Sequence, residues 1–64
     1  MKVRDVIRRL EQDGWYLDRM RGSHRQFKHP TKPDVVTVPG EPADDVAIGT
    51  LKSIWDQAQM ERER

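Results

Sequence analysis

Two apolar stripes with helical spacing, one near each end of the chain, constrain the fold more than any other feature. They consist of Val3, Val6, Ile7 and Leu10, and of Leu51, Ile54, Trp55 and Ala58. In each stripe the residues stand at i, i+3, i+4 and i+7, a spacing that places them on one face of an α-helix. The spacing therefore predicts a first helix over residues 2–13, ended by Gly14, and a second over residues 48–60.

The segment between the stripes has the composition of β-strands separated by turns. Aromatic and β-branched side chains favour strands, and they predict strands at residues 15–21, 24–29 and 35–38. The dipeptide Gly22-Ser23 suits a hairpin turn with glycine at its first central position, and two prolines bracket a second turn after the second strand.

These elements follow the order α-β-β-β-α and form a single domain over residues 1–60. Three strands joined by short turns predict an antiparallel sheet, and two helices with one apolar face each would cover the same face of that sheet. The predicted fold class is therefore α+β, a two-layer domain whose other sheet face is left to solvent or a partner. Residues 61–64 have no apolar side chain and are predicted to fray as a charged tail.

The absence of particular residue types excludes several functional classes. The 64 residues contain no cysteine, which excludes disulfides, thiolate metal sites and a cysteine nucleophile. No apolar run approaches the roughly 20 residues that span a bilayer, and charges interrupt the N-terminus where a signal peptide would be apolar. We therefore expect a soluble protein of the cytoplasm, without membrane association and with little room for a deep pocket.

Basic residues are clustered in one segment although the chain as a whole is almost neutral. Twelve basic and eleven acidic residues give a formal charge of +1. Residues 19–32 contain no acid and hold the basic side chains Arg19, Arg21, His24, Arg25, Lys28, His29 and Lys32. Clustered positive charge is typical of a site for a polyanion and equally of a solvated hairpin, so composition leaves both interpretations open.

Strand periodicity predicts where His24 points. Successive side chains alternate between the two faces of a strand, so a buried Phe27 turns His24 and Lys28 outward. Two hairpin registers are open: a two-residue loop would place Phe27 beside Met20, whereas a three-residue loop would place it beside Leu17. Both registers leave His24 exposed at the bend, within reach of the neighbouring arginines.

An exposed histidine among cations has the chemistry needed to cleave RNA. Imidazole both accepts and donates a proton near neutral pH, and guanidinium groups bind phosphate and neutralise the charge that develops on it. The RNA itself supplies the nucleophile, its 2′-OH. His24 would then deprotonate that hydroxyl or protonate the leaving 5′ oxygen.

Other candidate sites are weaker. His24 and His29 lack a third ligand nearby, which disfavours a zinc site. The acidic residues of segment 41–45 could hold magnesium, but they fit an exposed loop or the start of the second helix better. Ser23 has no evident Asp partner, so a turn role is favoured over that of a nucleophile. The two tryptophans fit the core better than a base-stacking role.

A series of short motifs runs through the chain to about Met60. They are Gly14-Trp15, Arg19, Gly22-Ser23-His24, Phe27 with Lys28-His29-Pro30, Val36-Thr37-Val38-Pro39, and Ile48-Gly49-Thr50-Leu51-Lys52-Ser53-Ile54. In this order and spacing they resemble the HicA toxins, also called YcfA-like proteins, the mRNA interferase half of a toxin–antitoxin pair.

The resemblance implies a fold like that of the double-stranded RNA-binding domain, and cleavage of mRNA without a metal or other cofactor. It implies that His24, in the Gly-Ser-His motif, is the catalytic histidine, and that a cognate HicB-type antitoxin inhibits the toxin by covering its active site. Together with the basic segment, it predicts these RNA-binding residues: Arg19, Arg21, Gly22, Ser23, Arg25 and Lys28.

Two segments depart from the family pattern. Residues 41–45 are acidic where many relatives are basic, and residues 56–60 differ from the usual end of the second helix. Both lower the positive field that would hold RNA. Two other hypotheses remain open at this point: a non-catalytic RNA-binding module of the same fold, and a protein-interaction subunit that uses the open side of the sheet.

Overall fold

The chain folds in the order predicted from its sequence. The computed structural model describes residues 1–60. Its elements are helix α1 (Val3–Gln12), strands β1 (Tyr16–Arg21), β2 (His24–Lys28) and β3 (Val36–Val38), and helix α2 (Ile48–Ala58). The α+β class and the α-β-β-β-α order are confirmed, and the element ends lie close to the predicted ones. The predicted frayed tail, 61–64, lies outside the described residues.

Both helices cover one face of a three-stranded antiparallel sheet with the strand order β1-β2-β3. The two apolar stripes enter one core together with inward-facing residues of the sheet. Its buried members are Val3, Val6, Leu10, Trp15, Phe27, Val36, Val38, Val46, Ile54, Trp55 and Ala58. Both tryptophans are therefore core residues, as predicted. Within residues 1–60, no helix covers the opposite face of the sheet.

A β-bulge in β1 combines features of the two hairpin registers that the sequence left open. The turn is the two-residue loop Gly22-Ser23, and Gly22 has a φ of +59° at the first central position. Asp18 is an extra residue in β1, so the cross-strand partner of Phe27 is Leu17. The turn thus follows the shorter-loop register, whereas Phe27 has the neighbour expected from the longer loop.

The loop before α2 caps the start of α1. No side chain of residues 1–60 caps the start of helix α1, whose N-cap residue is Lys2. Instead, the N–H of Val3 donates to the carbonyl of Asp44 at 2.9 Å, and the N–H of Arg4 donates to the carbonyl of Pro42 at 3.1 Å. These carbonyls satisfy N–H groups that the first turn of a helix leaves without a partner. The acidic segment 41–45 is therefore part of the packing between the two ends of the chain.

Both helices are followed by a residue in the left-handed conformation. After α1 this residue is Gly14, with a φ of +100°. After α2 it is Gln59, with a φ of +55°, and the N–H of Met60 returns to the carbonyl of Trp55 at 3.0 Å. Glycine adopts this conformation freely, whereas a residue with a Cβ is strained there.

Replacing Gln59 with glycine is expected to stabilise the protein by about 0.5–1 kcal/mol, because glycine removes the left-handed strain at the end of α2. Urea unfolding of both proteins measures the difference. Gln57→Gly is the matched control, since Gln57 is an exposed residue inside the helix. That change should destabilise by about 1 kcal/mol. A loss of stability in both variants would contradict the prediction.

Candidate nucleic-acid interface

The sheet face opposite the helices carries most of the cations of the hairpin. Residues paired across antiparallel strands point to the same face, and buried Phe27 and Val36 identify the core side. The register and the ion pairs place these residues on the other side: Tyr16, Asp18, Arg19, Arg21, His24, Gln26, Lys28 and Thr37. We refer to this surface as the open face.

His24 lies at the turn end of the open face. It is the first residue of β2, and its cross-strand partner is Arg21. Its side chain is exposed, and no hydrogen bond or ion pair joins the imidazole to another of the residues that the structure describes. The tight turn and the strand pair hold the backbone of His24 in place, so the ring is presented to solvent from a fixed position.

Arg19 and Lys28 extend the positive charge along the open face. Both approach the carboxylate of Asp18: Nε of Arg19 lies 3.6 Å from Oδ2, and Nζ of Lys28 lies 3.8 Å from the same oxygen. Ion pairs of this length at a protein surface are weak. A phosphate can therefore compete with Asp18 for both cations.

Asp18 was not among the predicted site residues, and it reaches the open face because of the bulge. Strict alternation from Arg21 would place Asp18 on the core side, but the extra residue lets two successive side chains share one face. The only signal in the sequence was that aspartate is disfavoured inside strands. The open face therefore contains one acid among its cations.

Arg25 lies on the other side of the sheet from His24. It pairs with Val38, which is buried, and its Nη1 donates to the carbonyl of Gly40 at 2.9 Å. The structure therefore does not group Arg25 with His24, although the two are neighbours in the chain. In this position the guanidinium joins the start of β2 to the segment after β3.

His29 is held by hydrogen bonds at both ring nitrogens. Nδ1 accepts from the N–H groups of Thr31 at 3.1 Å and Lys32 at 3.2 Å. Nε2 must then carry the hydrogen, and it donates to the carbonyl of Asp13 at 2.7 Å. The ring also meets Trp15 edge-on, with 5.1 Å between ring centroids. This histidine joins the end of β2 to the end of α1.

Lys32 connects the ends of both helices. Its Nζ donates to Oδ2 of Asp13 at 2.6 Å and to the carbonyl of Ala58, the last residue of α2, at 2.9 Å. Nε1 of Trp15 donates to the same carboxylate oxygen at 3.2 Å. The hydrogen bond from Lys32, aided by its charge and by the bond from Trp15, lowers the pKa of Asp13 although partial burial opposes the shift.

We expect the Asp13 carboxylate to stabilise the fold above the ordinary pKa of aspartate, and this stabilisation to disappear as the pH falls through the lowered folded-state pKa. Asp13→Asn should therefore cost about 1 kcal/mol at neutral pH, a modest value because the pair is partly exposed. Urea unfolding of both proteins between about pH 7 and pH 2 tests the sign. A difference that grows towards acid would contradict it.

Two of the carboxylates considered for a magnesium site, those of Asp44 and Asp45, have protein partners. Oδ2 of Asp44 accepts from the N–H of Glu41 at 3.0 Å, and Oδ1 of Asp45 lies 3.6 Å from Nζ of Lys2. In the part of the chain that the structure describes, no three His, Asp or Glu side chains converge as metal ligands.

A comparison with protein families identifies the chain. The model of a family described as "HicA toxin of bacterial toxin-antitoxin" matches residues 3–60, which include every helix and strand of the fold. The chain belongs to the HicA toxin family. A search of curated proteins gives no significant match.

Membership of the HicA family gives the chain a toxin role in a toxin–antitoxin system, with an antitoxin as partner. The match includes the whole hairpin that carries the open face. Neither α1 nor α2, the helices found in residues 1–60, is long and apolar enough to cross a bilayer.

Proposed function

We propose that this HicA family member is an endoribonuclease that cleaves mRNA without a metal ion, with His24 as general acid or base. The observation that carries the proposal is the position of exposed His24 on the same sheet face as Arg19, Arg21 and Lys28. This arrangement combines a group that transfers protons with cations that bind phosphate. The resemblance of Gly22-Ser23-His24 to the family's catalytic motif supports the same role.

The open face offers cations at more than one distance from His24. Arg21 stands directly across from it and would contact the phosphate that reacts. Lys28 lies four residues further along β2, about 13 Å at strand spacing, and would bind a neighbouring phosphate together with Arg19. The loop Gly22-Ser23 would add main-chain N–H groups and a hydroxyl. Arg25 would contribute indirectly, through its hydrogen bond to Gly40.

The reaction needs proton transfer and neutralisation of charge. If His24 acts as the base, it takes the proton of the 2′-OH, and the 2′ oxygen attacks the adjacent phosphorus while the 5′ oxygen leaves with a proton from water. If it acts as the acid, it protonates the leaving 5′ oxygen, and water accepts the proton of the 2′-OH. Arg21 would stabilise the negative charge that develops on the non-bridging oxygens. The products are a 2′,3′-cyclic phosphate and a 5′-hydroxyl.

RNA cleavage in chelator tests this chemistry. An RNA oligonucleotide incubated with the purified chain and EDTA should yield a fragment that ends in a 2′,3′-cyclic phosphate. The matched substrate with a 2′-deoxy sugar at the cleaved nucleotide should stay intact. Cleavage of the deoxy substrate, or a requirement for a divalent ion, would contradict the proposal. Salt-sensitive binding without cleavage would favour the second candidate, a non-catalytic RNA-binding module, which the same cations suit.

The proposed antitoxin is of the HicB type and covers the open face in the cytoplasm. A partner with an acidic surface would neutralise the cations around His24 and exclude RNA by charge complementarity. Induced expression of the chain alone should arrest growth, and co-expression of the adjacent reading frame should restore it. An absence of any growth defect would count against the toxic activity.

A further inference from the structure

Strand β1 forms an exposed outer edge of the sheet. Among residues 1–60, β2 pairs with one side of β1 and no strand pairs with the other, because β2 lies between β1 and β3. All of Tyr16–Arg21 is exposed, and the apolar side chains of Leu17 and Met20 are 50% and 48% accessible. An unpaired edge with exposed apolar side chains is a template for pairing with another strand.

The main-chain groups of Leu17 and Met20 point away from the sheet. In a hairpin with a two-residue loop, the pair next to the loop exchanges hydrogen bonds, and this pair contains His24. Hydrogen-bonded and non-hydrogen-bonded pairs alternate along β2, so Arg25 and Phe27 belong to non-hydrogen-bonded pairs. Their partners in β1 therefore direct their N–H and C=O groups away from β2. Those partners are Met20 and Leu17. The outer edge therefore offers two sets of donors and acceptors.

The sequence of β1 is complementary to itself in one antiparallel register. This register is centred between Asp18 and Arg19, so that each Asp18 faces Arg19 of the other copy. The full set of pairs is Tyr16 with Arg21, Leu17 with Met20, and Asp18 with Arg19. They join an aromatic ring to a guanidinium, two apolar side chains, and opposite charges, all of which stabilise cross-strand pairing.

In the same register, paired residues lie on the same face of the sheet, and the two bulges lie opposite each other. Asp18 and Arg19 both lie on the open face, and Leu17 and Met20 both lie on the core side, as paired residues must. The bulge adds one residue between Leu17 and Met20 in each copy. Two-fold symmetry sets the two bulges opposite each other, so the outward groups of Leu17 still meet those of Met20.

From these agreements we propose that β1 is a self-association surface, through which two copies of the chain join into one six-stranded antiparallel sheet. The open faces of the two copies then lie side by side, with both His24 residues on the same side. The contact between two strands is small, so the dimer is weak and forms as concentration rises. The proposal does not depend on ribonuclease activity.

Sedimentation velocity over a concentration series tests the dimer with charge-swapped variants. The wild-type chain should shift from monomer to dimer. Asp18→Arg and Arg19→Asp each turn two attractive pairs of the dimer into repulsive ones, so each should raise the dimer Kd about tenfold or more. The double variant Asp18→Arg/Arg19→Asp restores opposite charges across the axis and should return the Kd towards the wild-type value.

Matched variants separate this contact from general effects of charge. Asp34→Arg and Lys52→Asp make the same charge changes at exposed residues outside β1 and should leave the Kd unchanged. Met20→Pro removes an outward N–H that β2 does not use, so it should abolish the dimer while circular dichroism shows a folded monomer. A wild-type chain that stays monomeric would overturn the proposal, even if it pairs with another protein. A dimer that persists in Met20→Pro or in the single charge-swap variants would also overturn it.

Discussion

Replacing His24 with alanine is expected to lower the rate of RNA cleavage by about 10²–10⁴-fold, the usual contribution of general acid–base catalysis. The imidazole is exposed, so its removal leaves the core unchanged, and the free energy of unfolding should stay within about 0.5 kcal/mol of the wild-type value. RNA binding should persist, because Arg19, Arg21 and Lys28 remain. Single-turnover cleavage and filter binding at one salt concentration measure the two effects separately.

His29 provides the matched control for this prediction. His29→Ala removes the ring that binds main-chain groups at the ends of β2 and α1, so it should cost about 1–3 kcal/mol of stability. Cleavage per folded molecule should be unchanged. Added imidazole should partly restore cleavage to His24→Gly and should not change the activity of the His29 variant. A His24→Ala chain that cleaves RNA at the wild-type rate would remove His24 from the mechanism.

The helices and the exposure of His24 could be predicted from the sequence because both depend on local periodicity. Apolar residues at helical spacing have one face to bury, and Val6 and Ile54 are buried as that spacing predicts. Strand alternation needs only one reference residue, and buried Phe27 is enough to turn His24 outward. These predictions required no knowledge of distant contacts.

The composition of the open face could not be predicted in the same way, because it depends on one inserted residue and on long-range hydrogen bonds. The bulge turns Asp18 towards the cations of the open face. A count of basic residues in the sequence does not reveal this acidic neighbour. The basic segment includes Arg25 and Lys32, but Arg25 binds the carbonyl of Gly40. Lys32 binds the carboxylate of Asp13 and the carbonyl of Ala58, both far from it in the chain. The positive charge of the basic segment is therefore larger than the positive charge that lies near His24 on the open face.

Gly14→Ala is expected to cost about 2–4 kcal/mol of stability, a large fraction of the about 3–10 kcal/mol expected for a chain of this length. Gly14 has a φ of +100°, where a residue with a Cβ is strained. The added Cβ would also lie 2.8 Å from Nε2 of His29, the atom that donates to the carbonyl of Asp13. The substitution therefore strains the backbone and displaces the ring. Urea unfolding measures the loss.

Two comparisons separate the strain from the displacement of His29. Gly22 also has a positive φ, of +59°, but a Cβ added there would lie within 4 Å of no described residue other than its chain neighbours, so Gly22→Ala should cost only about 1 kcal/mol. In a His29→Ala background the ring is absent, so Gly14→Ala should cost only its backbone strain, and the double-mutant cycle should show a coupling of about 1 kcal/mol or more. Equal costs of Gly14→Ala in both backgrounds would show that the contact with His29 contributes nothing, and that the glycine is needed for its backbone conformation alone.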